Sequence, residues 1–435
     1  MPWSEQPSRG RYRHDVGACS HELAFWGGDL AGLTAKLGYI RDLGCNVLYL
    51  SPIFRALTNH KYDTEDFGAI DPQFGNDADF AALCDRAADL GVRIVLDGVF
   101  NHVGRRHAWA SRPDWLTGTC WRDVGNLPEL RLENTAVREA LYGAPDSVVR
   151  RYLQHAAGWR LDVACDLGPA YLAELTRAAH EARPDALVVG EFFNYPAAWF
   201  GSVDGAVNIF SGAVLLDMLK GGASPGKAAR IFADLVADSG IEPLLRSWTV
   251  VSNHDKPRLK TELPDLADRK VLWALMVALP GAPLIYYGEE IGLAGDSDPA
   301  MRGPMDWDLA NSGRAPEQHA IRKLLALRHA QPALQVGDYV PIAADRLLAF
   351  ARRTASARET VVVLCNPGRE EVNEPVCPRD SWLLDSLPMR DLVGGGHARM
   401  QSGRLEARVP PRTVQMWVAA EEPAGRYNYL KRVPG

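Results

Sequence analysis

At 435 residues the chain is long enough for one large α/β barrel plus a small domain. Its 47% hydrophobic and 23% charged content is that of a soluble globular protein. A net charge of −6, with arginines interleaved among acids, gives no support for nucleic-acid binding. The seven cysteines (Cys19, Cys45, Cys84, Cys120, Cys165, Cys365 and Cys377) are odd in number and include no Cys-x-x-Cys pair, so they read as free thiols of a reducing compartment. No basic-then-apolar leader and no run able to span a bilayer is visible, and the expectation is a cytoplasmic protein.

Residues 1–24 are polar, with scattered Arg, Pro and Gly, and read as loop. Phe25-Trp26-Gly27-Gly28-Asp29-Leu30 then opens a helix. Asp29 is its expected N-cap, and Leu33, Leu37 and Ile40 fall at helical spacing. A buried strand is expected at 45–50. The apolar run 93–97 ends in Asp97 and leads into Gly98-Val99-Phe100-Asn101-His102. The segment 103–126 carries Trp109, Trp115 and Trp121, which either line a cleft or form a mini-core.

Gly158-Trp159-Arg160-Leu161-Asp162-Val163 reads as a short buried strand ending in a carboxylate. Strand alternation puts Arg160 and Asp162 on one face, where the guanidinium favours the ionised acid. Taken alone, the pair is either a structural ion pair or an oriented carboxylate nucleophile. The run 186–190 leads into Glu191, followed by Phe192 and Phe193, and the run 247–252 leads into Asn253-His254-Asp255. Four apolar runs each delivering an acid at the C-terminal end are the pattern of a TIM-barrel active site.

The expected barrel strands are 45–50, 93–97, 158–163, 186–191, 206–209, 248–252 and 283–287. A closed barrel of this class needs eight. Nothing in 1–24 has a β-prone run, so the first position is expected to be a gap or an irregular segment; 426–430 could in principle fill it. A closing helix is expected around 319–327. Beyond Pro332 come short β-prone runs at 347–350, 361–364, 405–409 and 414–418, punctuated by Gly, Pro and Asn, which read as an antiparallel sandwich. The expected organisation is a catalytic barrel over 1–332, a β-sandwich domain over 333–420 and a tail over 421–435. The histidines lack metal-ligand spacing and thiol partners, so no Cys/His metal site is expected.

The segments Asp97 to His102, Gly158 to Asp162, Gly190-Glu191 and Asn253-His254-Asp255 resemble, in order, the four signature regions of the α-amylase family of glycoside hydrolases. Gly27-Gly28-Asp29-Leu30, Asn59-His60-Lys61-Tyr62-Asp63-Thr64 and Leu127-Pro128-Glu129-Leu130 resemble the subgroup of cyclomaltodextrinases, neopullulanases and maltodextrin glucosidases. Glu129 stands where that subgroup usually has Lys or Asp. The resemblance implies Asp162 as nucleophile, Glu191 as acid/base and Asp255 as a third acid gripping sugar hydroxyls. It implies Arg160 orienting Asp162, and His60, His102, His254 and Arg302 among the substrate-binding residues.

By the same resemblance Tyr62 is a stacking platform or a structural tyrosine with an exposed hydroxyl. Phe193 stacks a leaving sugar or is core, and Asp97 and Asn101 hold architecture. Relatives use the positions of Cys165 and Asp166 to hold the leaving sugar. The implied activity is retaining hydrolysis of α-1,4-glucosidic bonds in maltodextrins or cyclic dextrins. The alternatives are a transglycosylase or isomerase using the same intermediate, and a non-catalytic carbohydrate-binding relative. The segment 103–126 is too short to offer calcium the 6–8 oxygens it prefers, so neither metal nor cofactor is expected. The expected assembly is a monomer.

Overall fold

The run of short parallel strands and intervening helices is the organising feature of the computed structural model, which describes residues 27–420 and Val433. The expected gap at the first barrel strand and its filler at 426–430 lie outside the described residues. The chain divides into two units, one of Met1–Phe192 with Ala198–Val207 and one of Phe193–Ala197 with Asn208–Gly435.

The first described helix of the first unit is Leu30–Leu43. Asp29 caps it by accepting from the Gly32 amide at 2.6 Å, and Gly44 ends it at φ 105. Strand β1 (Val47–Leu50) follows, then the antiparallel hairpin β2 (Phe54–Ala56) and β3 (Thr64–Ile70). The helix Asp77–Asp89 starts in a reciprocal capping box of Asn76 and Asp79. It leads to β4 (Arg93–Gly98). A second hairpin, β5 (Leu116–Cys120) and β6 (Pro128–Leu130), occupies the segment that separates β4 from β7 (Gly158–Leu161). Strands β8 (Leu187–Phe192) and β9 (Gly205–Asn208) complete the series.

In the sheet the order is β1, β4, β7, β8, β9. Val47–Leu50 lies in register with 93–96, and 95–98 with Gly158–Leu161. Strands β7 and β9 are buried throughout, and β4 and β8 beyond their first residue, as a parallel sheet covered by helices requires, whereas β1 is half-buried. Ile94, Leu96, Trp159, Leu161 and Val188 join one hydrophobic cluster with the helices. Arg160, between two of them in sequence, faces the other way. Gly158 is needed where β7 meets β8, because a Cβ there would sit 2.1 Å from the Leu187 carbonyl oxygen.

In the second unit β10 (Trp248–Thr249) and β11 (Ala282–Pro283) pair in parallel. All seven expected barrel strands are therefore strands among the described residues, but those expected at 45–50 and 158–163 each lose two residues, and the last two are shorter still. After the Leu284 amide bonds the Thr249 carbonyl at 3.0 Å, the chain turns through Gly288 at φ 85 into a 3₁₀ turn instead of continuing to Tyr287. Likewise Ile209 starts a helix rather than ending β9, because Asn208 caps the Ser211 amide at 2.9 Å.

The closing helix spans Pro316–Ala330. A seven-stranded antiparallel sheet follows, in the order Asp338–Ile342, Leu348–Arg353, Val361–Asn366, Thr413–Ala419, Pro388–Asp391, His397–Gln401, Arg404–Leu405. The pair Val372–Asn373 and Arg408–Val409 forms a second ladder, so the expected run 405–409 is split between two sheets. Two arginines, Arg352 buried and Arg328 half-buried, serve carbonyls at the root of this sheet. Arg352 donates to Ala278 O at 2.8 Å and to Gly337 O at 2.9 and 3.2 Å. Arg328 donates to Val277 O, Leu334 O and Gly281 O at 2.6–2.7 Å. The carbonyls of Val277 and Ala278 close the helix Leu266–Ala278, whose last turn holds no basic residue of its own. Among the described residues no helix is long and apolar enough to cross a membrane.

Candidate active site

Arg160 is the centre of the first unit's polar cluster. At 2% exposed, it sits on β7 with its guanidinium shared among three acids. Nη1 bonds Asp97 Oδ1 at 2.7 Å and Asp162 Oδ1 at 2.8 Å, and Nη2 pairs with Glu191 Oε1. Strand ends explain the convergence. Asp97 is on β4, Arg160 and Asp162 sit on and just past β7, and Glu191 is on β8, three adjacent strands in register.

The other oxygen of Asp97 accepts two phenols, Tyr49 Oη at 2.5 Å from the end of β1 and Tyr62 Oη at 2.8 Å. Burial holds both phenols well above their ordinary pKa, so they remain donors. The Tyr62 hydroxyl is thus bonded rather than exposed. Tyr49 was not among the expected site residues. Its signal in the sequence is only that it is the polar member of an otherwise apolar strand.

One guanidinium facing three carboxylates does not hold them all at ordinary acidity. Burial raises Asp162 well above the usual carboxylate range. Arg160 opposes the rise, while the charges of Asp97 and Glu191 add to it. Arg160 thus favours the ionised acid, as expected of it, while desolvation and two like charges work against it.

Val163, directly after Asp162, has φ 39. A β-branched residue in the left-handed region is a strained outlier of the sort that collects at functional sites. Its amide donates to Glu191 Oε2 at 3.3 Å, and it opens the turn Ala164–Leu167 that bears Cys165 and Asp166.

The loop before β3 carries His60 and Tyr62. His60 Nδ1 accepts from the Tyr62 amide at 3.1 Å, which leaves Nε2 to carry the proton in the neutral ring. Between them Lys61 takes φ 65, and its buried ammonium bonds Asp71 Oδ2 at 2.7 Å, Gln73 Oε1 at 2.9 Å and Ala56 O at 3.3 Å. Asp63 accepts from Thr58 and, at 2.8 Å, from Asn126 Nδ2, which ties this loop to the end of the 103–126 segment.

His102 is buried beside β6, with its backbone bridged to Glu129, and burial pushes its ring pKa down to about 4. Asn101 lies next to it and receives the Leu130 amide on its carbonyl at 2.9 Å. The three tryptophans divide. Trp109 and Trp115 pack on each other and on the hydrophobic cluster, with ring centroids 5.1 Å apart, whereas Trp121 stacks on His102 at 5.4 Å. Among the described residues no three His, Cys, Asp or Glu side chains group as a metal ion would require, and the six described cysteines are free thiols.

In the second unit His254, Asp255 and Arg302 form their own group. Arg302 Nη2 bonds Asp255 Oδ1 at 3.1 Å and its Nε bonds His254 O at 2.9 Å, while His254 Nε2 lies 3.3 Å from Asp255 Oδ2. Phe193 is 52% exposed, so it is not core. Phe192 beside it is buried.

A family model described as "Alpha amylase, catalytic domain" matches residues 7–115 and 234–330. Neopullulanase 2 of Thermoactinomyces vulgaris is 32% identical, over 94% of this chain and 73% of its own length. A cyclomaltodextrinase of Geobacillus thermopakistaniensis is 31% identical, over 84% of this chain and 66% of its own. Among solved structures, the cyclic α-maltosyl-(1→6)-maltose hydrolase of Arthrobacter globiformis in complex with maltose superposes with a TM-score of 0.79. That pair is 27% identical over 97% of this chain and 93% of that one. With these relatives spanning most of its length, the chain belongs to the α-amylase family of glycoside hydrolases.

Proposed function

We propose that the protein is a retaining α-glycosidase acting on α-1,4-glucosidic bonds of maltodextrins or cyclic dextrins. The observation that carries the reading is that Asp162 and Glu191 are held by the two terminal nitrogens of one guanidinium. Carboxyl groups so tethered stand close together. Retention needs a spacing of roughly 5 Å, whereas inversion must leave room for a water at roughly 6.5–9.5 Å. The names of the relatives supply the substrate class.

In this reading Asp162 attacks the anomeric carbon. The glycosidic C–O bond breaks, and the leaving oxygen takes its electron pair and a proton from Glu191. In the second step Glu191 accepts a proton from water as the water oxygen displaces Asp162, whose carboxylate recovers the electron pair. The site must therefore carry one proton when substrate arrives. Crowding three acids around Arg160 favours its retention, and the reaction requires it on Glu191. Asp97, with Tyr49 and Tyr62 as donors, orients Arg160, and Asp255 is assigned to sugar hydroxyls. Tyr62 offers its ring to the sugar at the cleavage point, and His60, His102 and His254 offer nitrogens to hydroxyls.

The transglycosylase reading shares every residue and differs in the second acceptor. A non-catalytic binding role is disfavoured, since a binding protein has no use for two acids on one cation beside a strained Val163. Chromatography of products from maltotriose and β-cyclodextrin tests the proposal. Shorter sugars with α-configured reducing ends are expected. No cleavage of either substrate, or β-configured products, would refute it.

A further inference from the structure

Glu289 opens the 3₁₀ turn after β11, is buried, and takes no part in the proposed chemistry. Both of its oxygens accept the Leu259 amide, each at 3.2 Å, and Oε1 lies 3.9 Å from Arg258 Nη1. Leu259 opens the short helix that ends the loop carrying His254 and Asp255. Arg258, just before it, is buried as well. Its amide is tied to Gly295 O at 2.9 Å, and its Nη1 donates to Tyr287 O at 2.6 Å. Its guanidinium lies over the rings of Tyr286 and Tyr287, at 4.5 and 4.8 Å.

The hydroxyls of those two rings reach further. Tyr286 Oη donates to Met301 O at 3.1 Å and Tyr287 Oη to Gly303 O at 2.8 Å, the carbonyls on either side of Arg302. Arg302 in turn holds His254 O and Asp255 Oδ1. Contacts within one unit thus join Glu289 to Asp255 by two arms. One runs through the backbone of the loop, the other through the tyrosines and Arg302.

Burial raises the Glu289 carboxyl to about 7. Arg258, the Leu259 amide and Ser252 oppose the rise, and the charge of Glu290 adds to it. Arg258 and Glu290 are the charged groups facing it. Hydrogen bonds to an ionised acceptor are roughly twice as strong as those to a neutral one, so ionised Glu289 grips Leu259 and Arg258 more firmly. We infer that Glu289 is a positioning residue for Asp255: in its ionised form it tightens both arms and so sets how firmly the loop presents Asp255 to the sugar. The inference rests on the glycosidase reading, in which Asp255 takes sugar hydroxyls. Its effect grows as pH climbs through 7, whereas a merely structural role would weaken the enzyme equally at every pH.

The experiment measures kcat/KM of the full chain on maltotriose or β-cyclodextrin from pH 5.5 to 8.5. Each variant is expressed as a ratio to wild type at the same pH, so that limbs belonging to Asp162 and Glu191 cancel. Glu289→Gln keeps the shape and cannot ionise. Its ratio should be near one at pH 5.5, where wild-type Glu289 keeps its proton. By pH 8.5 it should fall about three- to tenfold, the effect of one hydrogen bond, with a midpoint near 7. Tyr287→Phe keeps the ring by Arg258 and cuts one arm at an exposed residue, and its ratio should fall with pH in the same sense. The double variant should fall by less than the product of the single effects, because both act on one set of contacts.

A Glu289→Gln ratio that is flat with pH, or single effects that multiply in the double variant, would overturn the inference. If circular dichroism shows Glu289→Gln unfolded, Tyr287→Phe decides alone, and a ratio flat with pH there overturns it. In each of these cases the wild type still cleaves and the glycosidase reading survives. A wild type releasing no sugar from either substrate would overturn both.

Discussion

Replacing Lys61 by Met tests whether the loop carrying His60 and Tyr62 is pinned from below. Lys61 is 1% exposed and its ammonium serves three oxygens, one of them the carboxylate of Asp71, itself 4% exposed. Met preserves the stem and removes the charge. Asp71 then keeps only the amides of Ala56 at 3.2 Å and Gln73 at 2.9 Å as partners. Stranding one member of a buried ion pair costs about 3–5 kcal/mol. With an unfolding entropy of about 2.1 cal/mol/K per residue, a chain of this length shifts by roughly 1 °C per kcal/mol, so the thermal midpoint should fall by about 4 °C. Lys61→Met/Asp71→Asn removes the stranded charge and should recover at least half of that loss, because the two sites share one interaction. The assay is thermal unfolding of the four proteins of the cycle, followed by circular dichroism. A Lys61→Met midpoint within about 2 °C of wild type, or a double variant less stable than either single one, would refute the reasoning.

Asp162→Asn and Glu191→Gln should each cut turnover by about three orders of magnitude or more with the circular dichroism spectrum unchanged, and near-normal turnover in either would remove the assignment. Asp162→Asn should also be more stable than wild type at pH 7. A carboxyl whose pKa is raised in the fold loses stability as pH climbs above its ordinary 3.8, so the difference should vanish in unfolding experiments below that pH. The ring of His102, pushed down to about 4 by burial, should not titrate between pH 5 and 8 when followed by NMR. Any stability it lends is present above 6.5 and lost as pH falls through about 4, and a midpoint near 6.5 would contradict its burial. Arg352→Lys replaces a fork reaching two carbonyls by a single point donor and should cost about 2 kcal/mol in denaturant unfolding. No loss would mean that water serves those carbonyls equally well.

Local features were legible in the sequence. Asp29 announces a helix start, and the runs ending in Asp97, Asp162 and Glu191 announce strands whose acids share one end, because period and capping are properties of neighbouring residues. The strands at Asp338–Ile342, Pro388–Asp391 and His397–Gln401 were missed. Each mixes charges or proline into a short stretch and is stabilised by its partners in the sheet more than by its own composition. The site contacts that went unseen join residues far apart in the chain, namely Tyr49 with Asp97 and Trp121 with Asp166, and no periodicity encodes such pairs. The strain at Val163 was equally hidden, since β-branching argues for strand and only the packing of Glu191 against its amide shows the turn.

Arg352 has a consequence for anyone who would treat the antiparallel sheet as a portable module. The strand Leu348–Arg353 donates its arginine to the terminal carbonyl of the helix Leu266–Ala278, more than seventy residues earlier. Cutting the chain before Asp338 would leave that carbonyl, and Gly337 O, without their donor. Grafting the sheet onto a foreign barrel would bury a guanidinium with nothing to receive it. The sheet and that helix form a single splice site, and a chimera joined there should need both sides of the joint from the same parent.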